Sequence, residues 1–269
     1  MSPRRAIREF ARSIRPARQA VRLARSLYRP MVGVESVPSA LRRYPRFFRE
    51  LNEYRRLAGT EAIPVGELYP CLDDRTSTTA FDAHYLHQSV WALRHLVNRS
   101  PRTHLDIGSD ARFVTAVTAI CDVTFVDIRP LEISLDRYRS VQGTITALPV
   151  KAQSQRSVSC LHVAEHIGLG RYGDELDPNG TSKGCLELQR VIEVGGQLYF
   201  SVPVGRPRTC FNAHRVFEPT AVAEFFPELD LLEFSFVDDA GVLHARTDAA
   251  VAAGLDYGCG LYLFERRAP

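Results

Sequence analysis

The 269-residue chain lacks any apolar run approaching the ~20 residues that a membrane-spanning helix needs. Arginine occupies the N-terminal positions where a signal peptide would carry its apolar stretch, so no secretory leader is read there. Both absences predict a cytoplasmic protein. None of the six cysteines (71, 121, 160, 185, 210 and 259) forms a C-x-x-C pair, which argues against a redox dithiol or a zinc knuckle. Reduced, mostly structural thiols are expected instead. Lysine is nearly missing too, with Lys151 and Lys183 the only two among 34 basic residues, and Trp91 is the single tryptophan. No internal repeat or low-complexity tract is present.

What is there is an ordinary globular composition, 45% hydrophobic and 24% charged, sufficient for one large domain plus an extension. The charge is uneven. Residues 1–30 hold nine arginines and one acid, Glu9, a local charge of +8 that leaves −5 for the rest at a net of +3. Ile7, Phe10, Ile14, Ala17, Val21, Ala24 and Tyr28 recur there at three- and four-residue steps, predicting a basic amphipathic helix that ends at Pro30 and can kink at Pro16. Such an arm suits an anionic membrane surface, where each arginine near the surface contributes roughly 1 kcal/mol. The alternatives are a helix packed on a partner or on the chain itself, and a partly disordered, solvated arm. Nucleic acid is a poor fit, because no broader basic surface with interleaved aromatics continues beyond the arm.

Residues 31–97 read as a helical cap. Phe47, Phe48, Leu51, Tyr54 and Leu57 share one helical face, and a second helix is predicted over about 82–97, with Trp91 in a packing role. From Thr103 onward strands and helices alternate, which predicts an α/β domain over residues 98–269 built on a parallel sheet. The stretch Thr103 to Asp127 reads as strand, glycine turn at Gly108, amphipathic helix and β-branched second strand ending in an acid. Further strands are expected near Val141, over 157–163, 197–204, 231–237 and 261–265. Helices are expected over about 182–193 and 219–226. Seven strands in that rhythm place a nucleotide-like cofactor at the first turn, with Asp127 available to a ribose diol.

The ordered series LDIGS, FVDIRP, ITALPV, SCLHVAEHIG and LELQRVIEVGGQLYFSVP resembles the class I S-adenosylmethionine-dependent methyltransferases. More narrowly, HYLHQ, DIGSDARF, VDIRP, HVAEHIGLGRYGD and FNAHRVFEP are similar to a methyltransferase-like family of unassigned function, over roughly residues 66–267. The resemblance implies a Rossmann-like, seven-stranded, mostly parallel sheet with flanking helices, beside the N-terminal helical extension. It implies S-adenosylmethionine as cofactor, held by Asp106, Gly108, Ser109, Asp127, Ile128 and Leu148. The chain departs from the pattern where Asp110 and Arg112 replace the second and third glycines of the turn. Thr144 and Ser157 likewise stand where acids are usual.

Methyl transfer needs an aligned acceptor, and a base if that acceptor is a hydroxyl. His166 is the first candidate base and His162 the second, with Glu165 to orient the imidazole. The structural alternative puts His162 in the core and hydrogen-bonds His166 to a loop. His162-x-x-Glu165-His166 also spells an inverted zinc-protease motif, but the glycines at 168 and 170 end any helix after one turn, so no metal is predicted. Arg171, Tyr172 and Asp174 in the glycine-rich loop, with Asn212, His214 and Arg215 after the fifth long strand, are candidate acceptor ligands. Arg215 is free to pair with an acidic acceptor or a phosphate, or with Asp174. The expectation is methyl transfer to a saccharide or lipid-linked glycan intermediate, at the inner face of the membrane if the arm docks there. The alternative is a catalytically inactive binding or scaffold protein of the same fold, docked at that surface.

Overall fold

The computed structural model describes residues 37–58 and 63–268. The basic helix expected over residues 1–30 therefore lies outside the described residues. The chain divides into two compact units, Met1–Ala80 and Phe81–Pro269. Helix α1 (Val37–Ala58) carries the first, with Pro45 inside it. The rings of Tyr44, Phe47 and Phe48 pack against one another along this helix, with centroids 5.3 to 6.5 Å apart. No helix among the described residues is long and apolar enough to cross a membrane.

The second unit starts with α2 (Ala83–Arg99), so the helix grouped with the cap from sequence belongs with the sheet domain, and the boundary moves from 97/98 to 80/81. Asp82 caps α2 by accepting the Tyr85 N–H at 3.1 Å. The helix ends at left-handed Ser100, whose N–H returns to the Leu96 carbonyl. Its apolar stripe is buried at Trp91, Ala92 and Leu96, and the Trp91 indole N–H reaches Glu233 at 3.1 Å.

The central sheet has eight strands in the order β3-β2-β1-β4-β5-β10-β8-β9. The first five, β1 (Thr103–Ile107), β2 (Asp122–Asp127), β3 (Tyr138–Gln142), β4 (Gln155–Leu161) and β5 (Ile192–Val204), pair in parallel. Antiparallel β10 (Gly258–Arg266) lies between β5 and β8 (Leu229–Val237). The eighth strand, β9 (Leu243–His244), corrects the seven-strand expectation. Two residues are too short to show a period-2 pattern, and β9 exists because the Asp238 carboxylate ties the intervening turn by accepting the Ala240 and Val242 N–H groups. A hairpin, β6 (Arg208–Cys210) with β7 (His214–Val216), forms a separate two-stranded sheet.

Short helix α3 (Ala111–Val117) follows β1, and α4 (Gly180–Val191) leads directly into β5. The helix expected to Glu193 thus stops at Val191, and the glycines Gly195 and Gly196 lie within the strand. The segment from Pro219 forms only a 3-10 turn, Ala221–Phe225. Alternation along β5 feeds both faces of the sheet: Leu198, Phe200 and Val202 join α4's Cys185 and Leu188, while Tyr199 packs with Trp91, Leu96 and Val117. Burial of side chains this large contributes about 1.5–3 kcal/mol each and sets β5 as the spine of the domain.

Candidate active site

The carboxyl ends of the parallel strands open onto a cavity of about 920 Å³, within the range of small-molecule sites. One wall comes from the β1 turn and the ends of β2 and β3: Gly108, Ser109, Asp127, Ile128, Thr144 and Ile145. The other comes from the segment after β4, with His162, Val163, His166, Tyr172 and Asp174.

The first wall is held by hydrogen bonds that the chain makes to itself. Gly108 has φ +65°, and a Cβ there would meet Val163 Cγ1 at 3.1 Å and Asp127 Oδ2 at 3.4 Å. Glycine thus keeps open the gap between the two walls. Asp106 is wholly buried and does not line the cavity. Its Oδ1 accepts the Ser109 N–H at 3.0 Å and its Oδ2 accepts the Ser159 hydroxyl. Burial pushes its carboxyl up to about 6, against those hydrogen bonds, which favour the charged form. His104 continues the network, with Nδ1 2.7 Å from Ser157 Oγ and Nε2 2.7 Å from Ser159 Oγ. Burial alone drives its pKa down to about 3, so it stays neutral. The Ser109 side chain also hydrogen-bonds the Asp106 carboxyl. Its hydroxyl oxygen accepts the Leu161 N–H at 3.1 Å, tying the β1 turn to the end of β4.

Asp110 caps α3 and accepts from Arg112 through both the backbone N–H (2.9 Å) and the guanidinium Nε (3.1 Å). Burial raises its pKa, but the Arg112 hydrogen bonds outweigh that and the net shift is downward. The two residues that replace glycines therefore neutralise each other. Asp127, at the end of β2, accepts the Arg129 N–H at 2.7 Å and lines the cavity with Ile128. Leu148 does not line it. It is a core residue whose N–H donates to Glu187, and Thr144 to Thr146 occupy the expected adenine side instead.

The second wall starts where β4 stops at Leu161. His162 takes a left-handed φ of 55°, unusual for a residue with a Cβ. Its N–H donates to the Ser201 carbonyl (3.0 Å) and hydroxyl (3.1 Å), and that hydroxyl donates to Gln88 of α2. The buried ring sits with Nδ1 2.7 Å from Glu165 Oε1 and Nε2 3.3 Å from Cys259 Sγ. Burial disfavours its charged form, yet the Cys259 sulfur and the Glu165 carboxylate more than offset that and raise its pKa. Glu165 is almost wholly buried, and its Oε2 has no hydrogen-bond partner.

His166 ends the 3-10 turn Ala164–His166 and lines the cavity. Its Nδ1 lies 2.6 Å from the Ala213 carbonyl. A carbonyl only accepts, so this short bond favours the proton on Nδ1 and the lone pair on Nε2, although the Arg171 guanidinium also stands 3.3 Å from Nδ1; Nε2 lies 3.6 Å from Glu165 Oε1. Burial lowers its pKa, with Glu165 and the Ala213 carbonyl opposing only in part. His162 is buried yet lines the cavity, and His166 bonds the Ala213 carbonyl and lines it as well.

Of the candidate acceptor ligands, only Tyr172 and Asp174 line the cavity. The Tyr172 ring is covered by two guanidiniums, Arg129 at 4.2 Å and Arg171 at 5.0 Å. Asp174 folds the loop by accepting the Gly168 N–H (2.7 Å) and the Tyr172 N–H (3.2 Å). Arg171 shares the Ala213 carbonyl with His166, and the Asn212 amide donates to the Leu169 carbonyl. The His214 ring lies tilted against that of Tyr257, with centroids 5.2 Å apart. Arg215 pairs with neither an open site nor Asp174. It donates to the Ile167 carbonyl at 2.6 Å and to Thr181 Oγ1 at 3.2 Å, which makes it a loop anchor. Sequence reasoning missed Asp82, Tyr85, Arg129, Thr146 and Lys183 as cavity residues. Tyr85 stood in the HYLHQ motif, but as part of a helix face. The others carry no local signal.

This sheet order, with antiparallel β10 between β5 and β8 and its cavity at the strand ends, is the fold of the class I S-adenosylmethionine-dependent methyltransferases. Residues 122–243, less than half the chain, match the family described as "Caenorhabditis protein of unknown function, DUF268". No curated protein matches the chain. Among solved structures, the [4+2]-cyclase SpnF is similar at 11% identity and a TM-score of 0.52, over 68% of this chain and 82% of that one. A candidate methyltransferase of Bacillus halodurans C-125 is similar at 12% identity and a TM-score of 0.50, over 67% and 99%. These likenesses establish the fold.

Proposed function

We propose that the chain is an S-adenosylmethionine-dependent methyltransferase acting on a hydroxyl of a saccharide or lipid-linked glycan intermediate. The observation that carries this reading is one cavity lined both by a ribose-type wall, Gly108 and Asp127, and by His166, whose Nδ1 is bonded to the Ala213 carbonyl. The wall fits the cofactor: a side chain at Gly108 would narrow the gap to Asp127, and Ile107, Ile128 and Ile145 supply an apolar lining. Asp127 would take the ribose hydroxyls, with Gly108 and Ser109 alongside and Thr144 to Thr146 on the base side. When bound, the sulfonium supplies an electrophilic methyl group.

The chain's own residues then handle the acceptor proton. His166 is held in one tautomer by the Ala213 carbonyl, takes the hydroxyl proton on Nε2, and becomes an imidazolium beside Glu165. Its lowered pKa keeps it neutral at pH 7. Asp174, Glu175 and Asp177 on the same cavity can accept hydrogen bonds from sugar hydroxyls. Residues 1–30 dock the protein on an anionic membrane surface where a lipid-linked acceptor would lie.

A second reading, a retained fold without catalysis, draws on the Asp110–Arg112 pair that stands in place of two glycines. Calorimetry separates the two. Heat of binding with S-adenosylmethionine supports the first, and no heat at millimolar ligand from folded protein sinks it. Pelleting with anionic vesicles, comparing the full chain with a deletion of residues 1–30, tests the docking: equal pelleting dismisses it.

A further inference from the structure

Beside the cavity, three elements deliver ligating atoms to one point. His84 comes from the first turn of α2, His162 follows β4, and Cys259 sits near the start of β10, paired with Pro203 and Val237. One ligand atom from each lies within 4.8 Å of the other two. We propose that His84, His162 and Cys259 bind one divalent transition-metal ion of the zinc class.

Three independent features support it. First, imidazole nitrogen and thiolate sulfur are both ligand types that zinc takes, and a site with three protein ligands keeps a fourth position for water or substrate. Tetrahedral bond lengths of about 2.1 Å to nitrogen and about 2.3 Å to sulfur put those atoms roughly 3.5 Å apart. His162 Nε2 and Cys259 Sγ already stand at 3.3 Å, so closing the site needs only an adjustment of His84. Second, the far nitrogen of His162 is backed by a buried carboxylate, Glu165 Oε1 at 2.7 Å. That partner takes the Nδ1 proton and leaves Nε2 as the nitrogen turned toward Cys259, able to ligate once its own proton leaves, the arrangement that orients metal-bound imidazoles. Third, His162 is held at φ 55°, and a side chain in that conformation is kept there by its surroundings. The His84 and His162 rings lie nearly parallel, 12° apart with centroids at 5.7 Å.

This is a different site from the H-x-x-E-H motif read as a helix. His166 is not a ligand, because its Nδ1 is committed to the Ala213 carbonyl and the segment makes only a 3-10 turn. Binding releases to solvent the one proton held between Cys259 Sγ and His162 Nε2, and forms one metal–sulfur and two metal–nitrogen bonds. It also takes His162 out of the pool of candidate bases, leaving His166. Glu165 acts as a positioning residue for the metal through His162.

The test uses the full chain without a histidine tag, purified in chelator-free buffer, with metal content by mass spectrometry and Co²⁺ titration of the stripped protein. The expected result is about one zinc per chain and a thiolate-to-cobalt charge-transfer band. Cys259→Ser abolishes the band, Glu165→Gln weakens Co²⁺ binding about 10–100-fold, and Cys71→Ser, at an exposed thiol, changes nothing. If Cys259→Ser does not fold by circular dichroism, His84→Gln decides: weaker binding supports the site and unchanged binding overturns it. Trace zinc with no charge-transfer band in folded wild-type protein overturns it as well. None of these readouts depends on methyl transfer.

Discussion

The ends of β1 and β4 face each other across the same cavity, yet they use their polar residues in opposite ways. At the β1 end almost every polar group is matched internally: Asp106 with Ser109 and Ser159, Ser109 with the Leu161 N–H, and Asp110 with Arg112. At the β4 end groups are left over. His166 keeps an unprotonated Nε2, and Glu165 keeps a buried oxygen without a partner. A buried polar atom left unpaired costs about 1–3 kcal/mol, so it persists only where something else is gained. The β1 end is thus held rigid by its own hydrogen bonds, whereas the β4 end keeps polar atoms that its own fold does not use.

The largest effect should come from the β4 end. His166→Gln is expected to lower kcat for methyl transfer by about 10²–10⁴-fold, the range of a lost general base, with the cofactor Kd little changed. Binding by calorimetry alongside turnover checks it, and unchanged turnover would move the chemistry elsewhere. Next is Gly168→Ala, which puts a Cβ 1.9 Å from the Asp177 carbonyl oxygen at a φ of +78°. A loss of about 2–4 kcal/mol in thermal or denaturant unfolding is expected. Asp127→Asn, at the ribose-type wall, should weaken S-adenosylmethionine by about 10-fold, as expected for one charge-assisted hydrogen bond lost.

The pH profile sharpens the same contrast. Because burial lowers the His166 pKa, the base is lost only as pH falls below the ordinary histidine value of about 6.5. The acid limb of kcat/KM should therefore lie below pH 6.5 and vanish in His166→Gln. A limb above pH 7 would contradict the assignment. Smallest of all, Arg112→Ala should leave Tm unchanged within error, because the Asp110 pair is solvent-exposed on the arginine side and screened. A clear fall in Tm would make the β1 turn depend on that pair.

Much of the domain was legible because its signals are local. Alternation in β5, the glycine at the first turn, and Asp82 with the stripe of α2 each follow from neighbouring residues, and each element stands within a few residues of expectation. Elements whose stability comes from elsewhere were not legible. The two-residue β9 relies on a turn carboxylate, and the 3-10 turn after Pro219 replaced a helix that a proline at its first position had suggested. The candidate site divides along the same line. Asp127, Ile128, His162, His166, Tyr172 and Asp174 do line the cavity, while Asp106 and Leu148 turned inward and Arg215 became a loop anchor.

By itself the sequence determined the class of fold, the first turn with its acid at the end of β2, and the position of the histidines just past β4, since period and spacing encode which strand end a residue occupies. Only the tertiary structure decided what those residues touch. His162 meets Cys259, 97 positions away, and His166 meets the Ala213 carbonyl, 47 positions away. Hydrogen-bond partners and burial are set by elements distant in the chain, and they choose which nitrogen keeps a lone pair and which carboxylate is already bound.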